Sequence, residues 1–245
     1  MSVKRRIYLE LIDRDMIKTY LILTKFNYLY YFYKMRKKIA LLILNLIFFN
    51  SLYSQELPSI DIGEPFPASV IDHPMQSIDS KQYRVSQFLK KNGLIIIFTS
   101  NSCPFVDAWE DRYKIVENLC QRYNLDMVYI NSNHNRRDGK DSFKAMQEHA
   151  KKMGYTFNYL LDEESELANT LGAKTTPHVF MFDKLSKLIY KGAIDDIGMG
   201  MKFFSASFAD ATNYVGTQLL DVKKNNKLAI NSTVAYGCSV KYNYD

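Results

Sequence analysis

The sequence predicts an α/β fold in which helices cover the faces of a central sheet. Residues 94–98 form a short, continuously apolar run, which is typical of a strand buried on both faces. Residues 105–123 carry apolar side chains close to helical spacing, and residues 127–130 form a second apolar run. Strands that alternate with helices place those helices against the sheet.

The other elements continue this alternation along the chain. The predicted elements are a strand, turn and helical turn over residues 77–89, a helix that Asp141 and Ser142 cap and that runs to about residue 153, a helix over 163–171, a hairpin of strands 179–182 and 188–191, and a helix over 203–220. Gly154 and Gly172 end the two middle helices, because glycine adopts the left-handed conformation of a helix C-terminus without strain.

The basic charge of the chain is concentrated near its start. The 245 residues carry a net charge of +6, but residues 1–54 hold ten Lys and Arg against three Asp and Glu. That segment therefore has a net charge of +7, and the remainder is close to neutral at −1. A nearly neutral body without a basic stripe does not fit a nucleic acid as partner.

Residues 35–54 have the pattern of a secretory signal peptide. Basic residues 36–38 precede an apolar run over residues 39–49 that is too short to span a bilayer comfortably, and small Ser54 stands at a plausible cleavage position. We expect a leader over residues 1–54, a domain over 55–221 and a C-terminal tail over 222–245. The expected location is periplasmic or secreted, with membrane contact only through the signal segment. The alternative is an uncleaved membrane anchor.

Cys103 occupies a junction of strand, turn and helix. Pro104 follows it and suits the first helical position, because the missing N–H of proline would have no partner there. The free N–H groups and positive dipole end of a helix favour a thiolate over a thiol. Because thiolates attack disulfides and peroxides, Cys103 is the candidate nucleophile. The alternative is a buried, inert cysteine.

All three cysteines lie downstream of the signal segment, in an oxidising compartment if the protein is exported. A single cysteine in the turn needs a second thiol to release its oxidised form as a disulfide, and Cys238 in the tail is the candidate. The alternatives are a structural bridge from Cys238 to Cys120, or a free thiol. Cys120 lies on the apolar face of the helix over residues 105–123, where core packing is expected.

These residues resemble the thioredoxin-like superfamily, specifically its peroxiredoxin-related branch. The resemblance covers about residues 63–220. It rests on Phe98-Thr99-Ser100-Asn101-Ser102-Cys103-Pro104, on Ala173-Lys174-Thr175-Thr176-Pro177, on the hairpin over residues 180–192, and on the tail Tyr236-Gly237-Cys238-Ser239-Val240-Lys241, which is similar to a bacterial subgroup. It implies a thioredoxin-like fold with a central mixed sheet flanked by helices.

The resemblance also implies roles for Ser100 and for the pair Thr176 and Pro177. Peroxiredoxins carry Thr or Ser three residues before their reactive cysteine, so Ser100 is expected to hydrogen-bond the sulfur or an incoming peroxide; the alternative is an ordinary turn serine. Thr176 and Pro177 are expected to form a cis-proline turn that faces Cys103 and binds substrate; the alternative is a trans bond. The chain departs from the bacterial subgroup at Ser100, where that subgroup has a cysteine, and from peroxiredoxins at Ile96, where they usually have proline.

The combined prediction is an exported, thiol-dependent oxidoreductase that performs thiol–disulfide exchange or peroxide reduction. Its substrate would be a small peroxide or a protein disulfide, and its electron donor a reducing thiol. No cofactor and no metal are expected. The alternatives are a catalytically weak binding module of thioredoxin fold and a copper-handling protein that uses one cysteine together with His134 and His178. Arg112 is expected either to help hold the thiolate or to lie on a solvated helix face.

Overall fold

The computed structural model describes residues 16, 18–19, 24–26, 28–45, 59–89, 92–196, 213–223 and 230–243. The chain divides into two compact units, Met1–Glu56 and Leu57–Asp245. In the first unit, residues 28–45 form a helix, α1, with exposed side chains. Within the described residues, no helix combines the length and apolarity needed to cross a bilayer. The end of the predicted signal segment, residues 46–54, lies outside the described residues.

The second unit is built around a mixed sheet, as predicted. Its strands are β1 (Met75–Ser77), β2 (Gln82–Tyr83), β3 (Gly93–Thr99), β4 (Asp126–Asn131), β5 (Asn158–Leu161), β6 (Thr175–Thr176), β7 (His178–Asp183), β8 (Leu188–Gly192) and β9 (Cys238–Ser239). Seven of them form one sheet in the order β2-β1-β5-β4-β3-β7-β8, in which β3, β4 and β5 are parallel. Strands β6 and β9 form a separate antiparallel pair.

Four helices follow α1 within the described residues: α2 (Pro104–Tyr123), α3 (Phe143–Met153), α4 (Glu166–Leu171) and α5 (Tyr214–Lys223). The sheet separates two apolar cores, one on each of its faces. Ile95 and Ile97 of β3 face the core that contains α2, whereas Ile96 and Phe98 face the core that contains α4. Successive side chains of a strand point to opposite faces, so burial of both faces explains the continuous apolar run.

The structure departs from the predicted elements in several places. Strands β5 and β6 were not predicted, and no element was assigned to residues 155–161, between the helix that Gly154 ends and the next helix. The last helix is described over Tyr214–Lys223 rather than 203–220, and residues 197–212 lie outside the described residues. Two residues of the predicted tail pack on the folded unit: Val240 and Tyr242 are buried in the core that contains α4.

His178 makes the stability of this fold sensitive to acid. Its ring packs on Phe180, and its Nδ1 has no hydrogen-bond partner among the described residues. Burial, together with the charges of Lys191 and Lys174, lowers the pKa of His178 from 6.5 to about 3. The unfolded chain therefore binds a proton that the folded chain does not bind as the pH falls below 6.5.

We expect the free energy of unfolding to fall by about 3 kcal/mol between pH 7 and pH 4 through His178 alone. The stabilising effect is complete above the unfolded pKa and is lost as the pH falls towards the folded one. Urea unfolding at both pH values measures this loss, and a His178→Leu variant should lack this part of it. An identical pH dependence in the variant would show that another group is responsible.

Candidate functional site

Cys103 lies at the start of helix α2, as the sequence predicts. The turn over residues 100–102 connects β3 to this helix, Cys103 is the N-cap residue with φ −97° and ψ 117°, and Pro104 opens the helix. The preceding strand is fully buried, so the position of Cys103 is fixed from both sides. The sulfur therefore sits on rigid elements rather than in a long loop.

The sulfur of Cys103 faces a polar backbone edge. Its Sγ donates to the carbonyl oxygen of Thr176 at 3.1 Å, and the Thr176–Pro177 peptide bond is cis, as predicted. The Cys103 residue is only 2% exposed and also touches the apolar core. Burial shields this thiol from bulk water, but its sulfur points at a carbonyl group and not solely into hydrocarbon.

The tail brings Cys238 to the same place. Strand β9 pairs with β6 so that Cys238 lies directly opposite Thr176. Burial first, and the nearby thiol of Cys103 second, raise the pKa of Cys238 to about 11, whereas the backbone N–H of Phe105 lowers it. A backbone N–H at the start of α2 thus acts on Cys238, whereas the sequence predicts that these N–H groups act on Cys103.

The hydroxyl of Ser100 is directed away from the expected partner. It donates to the carboxylate of Asp141 and shares a hydrogen bond of 3.1 Å with the hydroxyl of Ser102. Ser102 also donates to Asp141 at 2.5 Å, and the backbone N–H of Asn101 does so at 2.8 Å. Asp141 therefore holds all three residues of the turn that leads to Cys103, and Ser100 contributes to the shape of this turn.

Asp141 is a functional candidate that the sequence did not reveal. Sequence reasoning took it as part of a helix cap, but Ser142 alone caps α3, by accepting from the N–H of Ala145. The carboxylate is fully buried and also accepts from Asn131 at 2.8 Å and from Asn133 at 3.3 Å. The polar loop after β4 was the available signal, since such loops supply hydrogen-bond partners at the end of a parallel sheet.

The same network reaches the tail. The side-chain oxygen of Asn133, whose amide donates to Asp141, accepts from the backbone N–H of Lys241 at 2.9 Å. The side chain of Asn135 donates to the carbonyl of Tyr242 at 3.2 Å. The turn before Cys103 and the strand that carries Cys238 are thus fastened to the same loop, which fixes the two sulfurs relative to each other.

Arg112 lies neither at the thiol nor on a solvated helix face. Its guanidinium forms a buried ion pair with Asp195, which also accepts from the indole N–H of Trp109 at 3.0 Å. Burial lowers the pKa of Arg112, and the charge of Asp195 opposes this shift. The pair fastens α2 to the segment after β8, and it was not predicted because Asp195 is far away in sequence.

The remaining candidates lie apart from the two sulfurs. Cys120 packs in the apolar core, as predicted: it is fully buried, its Sγ lies 3.9 Å from the Sδ of Met127, and burial raises its pKa to about 12. His178 packs on Phe180 in β7, and His134 hydrogen-bonds the carbonyl of Glu163. Across the described residues, no group of three or more His, Cys, Asp or Glu side chains is arranged to hold a metal ion.

Known proteins with the same architecture are similar to this chain. The model of the Redoxin family matches residues 61–206. A structure of a hypothetical protein from Sinorhizobium meliloti 1021 is similar at a TM-score of 0.66 and 24% identity, covering 76% of this chain and 97% of the other. An uncharacterized conserved protein from Geobacillus kaustophilus gives a TM-score of 0.65 and 25% identity, covering 76% and 94%. No curated protein matches the chain by sequence.

Proposed function

The chain belongs to the Redoxin family, and we propose that within it the protein is an exported thiol-dependent oxidoreductase whose reactive pair is Cys103 and Cys238. The family places the chain among thioredoxin-like, peroxiredoxin-related proteins. The observation that carries the proposal is that both cysteines lie at Thr176: the Cys103 thiol donates to its carbonyl oxygen, and Cys238 lies opposite it in the β6–β9 pair. Each sulfur comes from a different part of the chain.

The proposed reaction needs no cofactor. With a hydroperoxide, the Cys103 thiolate attacks the terminal oxygen, the O–O bond breaks, and the products are a Cys103 sulfenic acid and an alcohol or water. The Cys238 sulfur then attacks the Cys103 sulfur, which forms a disulfide and releases water. With a disulfide substrate, the Cys103 thiolate forms a mixed disulfide and releases one substrate thiolate, and Cys238 then attacks the Cys103 sulfur and releases the second substrate thiolate. An external thiol reduces the Cys103–Cys238 bond in two exchange steps.

A Cys238→Ser variant separates these steps. We expect wild-type protein treated with hydrogen peroxide to form an intramolecular disulfide, whereas the variant should accumulate the Cys103 sulfenic acid. Labelling with dimedone followed by mass spectrometry measures the sulfenic acid, and Cys120→Ala is the matched control because that thiol is buried elsewhere. Equal labelling of wild type and Cys238→Ser would contradict a resolving role for Cys238.

A second candidate function is a binding module with little catalysis. The low exposure of Cys103 favours it, as does Ser100 at the position where the bacterial subgroup carries a second cysteine. Such a module would use the Thr176–Pro177 edge for binding and keep its thiols reduced. Retention of free thiols after exposure to hydrogen peroxide or to a disulfide would favour this function.

Export is supported by the pattern of residues 35–54, in which basic residues precede an apolar run. We propose that the folded unit acts in an oxidising compartment, where a Cys103–Cys238 disulfide would persist until a donor reduces it. The intact mass of protein recovered from outside the cytoplasm tests this. A mature chain that begins near residue 55 is expected, and a chain that retains residues 35–54 would indicate an uncleaved anchor.

A further inference from the structure

The tail strand covers the backbone edge that an extended substrate would need. A β-strand edge binds an extended peptide by adding it as a further strand. Here the edge beside the cis-proline is already paired: Thr175 lies opposite Ser239 and Thr176 opposite Cys238. The N–H of Val240 continues the pairing by donating to the carbonyl of Lys174 at 3.1 Å.

Close packing leaves no room between the tail and this edge. A Cβ atom built on Gly237 would overlap the carbonyl group of Thr176, so the tail lies against the backbone whose oxygen accepts from Cys103. An extended polypeptide and the tail therefore cannot occupy the Thr176 edge at the same time. The tail is in the position of a substrate, and it presents its own thiol to Cys103.

The docked tail is held by several independent contacts beyond this edge. Val240 and Tyr242 are about 5% and 4% exposed and pack into the core that contains α4. The hydroxyl of Tyr242 donates to the carbonyl of Ala173, and the backbone of Lys241 is bound by Asn133. Because these contacts break together when β9 leaves, only a small fraction of molecules will expose the edge at any time.

We propose that residues 235–242 act as a specificity determinant that excludes extended polypeptides from Cys103. The inference rests on the proposed function, since it concerns which oxidants reach that sulfur. A small oxidant needs only a side-chain movement of the partly exposed Cys238, whereas a polypeptide needs the whole of β9 to leave. With the tail docked, Cys103 thus reacts with small molecules in preference to protein disulfides.

The test compares two oxidants with the same leaving group. In a Cys120→Ala, Cys238→Ser background, Cys103 is the sole thiol and the tail remains. One probe is 5,5′-dithiobis(2-nitrobenzoate), and the other is an unstructured peptide whose single cysteine is disulfide-linked to 2-nitro-5-thiobenzoate. In each case the Cys103 thiolate forms a new disulfide and releases the coloured thiolate of 2-nitro-5-thiobenzoate, whose appearance gives the rate.

Adding Gly237→Val to this background should dislodge the tail. The ratio of the peptide rate to the small-probe rate should then rise by about tenfold or more, because the peptide rate scales with the fraction of molecules whose tail has left the Thr176 edge. Tyr242→Ala weakens the tail far from the sulfur and should act in the same direction, and thermal unfolding checks that both variants fold. Ser239→Val, whose side chain is exposed on the same strand, is the matched control.

The outcomes separate this inference from the proposed function. A peptide-to-small-probe rate ratio that rises in Gly237→Val and Tyr242→Ala but not in Ser239→Val supports the inference. The same ratio in all four proteins overturns the inference and leaves the proposed function standing. A Cys103 that reacts with neither probe in any variant overturns both.

Discussion

A Cys103→Ser variant should lose thiol-dependent turnover of both hydrogen peroxide and disulfides, down to the rate without protein. The reason is chemical: a serine hydroxyl is not ionised near neutral pH and does not attack an O–O or S–S bond. The exchange of one atom leaves the turn over residues 100–102 intact, because its contacts run through Asp141. Consumption of each substrate with dithiothreitol as the reductant measures the effect.

Cys120→Ala provides the control for this experiment, because that thiol is buried in the core and lies apart from Thr176. It should retain the wild-type rate, and circular dichroism should show the same fold for both variants. Unchanged turnover in Cys103→Ser would remove the basis for an oxidoreductase and leave the binding module as the better account.

Asp141→Ala should lower the free energy of unfolding by about 3 to 5 kcal/mol. The buried carboxylate accepts hydrogen bonds from Ser100, Asn101, Ser102 and Asn131. Its removal leaves several of these donors buried without partners, and each such donor costs about 1 to 3 kcal/mol if no water replaces the oxygen. Urea unfolding at neutral pH measures the loss.

Asp138→Ala is the matched control, since Asp138 lies in the same loop with an exposed side chain. Its effect should stay within about 0.5 kcal/mol, as is usual for surface substitutions. A loss below about 1 kcal/mol in Asp141→Ala would mean that water or a rearranged loop satisfies the turn. The carboxylate would then not be what fixes the approach to Cys103.

The central part of the fold was predictable because its signals are local. The apolar run of β3 and the proline at the start of α2 each report on their immediate neighbours in sequence, and the hairpin of β7 and β8 has a short turn. Strand β9 has only two residues and no periodicity. It forms because β6 offers an unpaired edge and because Val240 and Tyr242 find a core, and both facts depend on the folded chain.

The candidate site also has residues that short sequence motifs predict and residues that they do not. Cys103 and the Thr176–Pro177 turn could be identified from short motifs, and Cys238 from the need for a second thiol. The role of Asp141 could not be predicted, because its partners Ser100 and Asn101 are about forty residues away in sequence. The Arg112–Asp195 pair is hidden for the same reason, since a charged residue in a helical pattern normally indicates a solvated face.

The most direct test of the account is the identity of the disulfide formed after one equivalent of hydrogen peroxide. Non-reducing digestion and mass spectrometry of the wild-type protein should yield a single linked pair of peptides, one with Cys103 and the other with Cys238, while Cys120 remains a free thiol. A Cys103 that stays unmodified, or one that is linked to Cys120, would contradict the account.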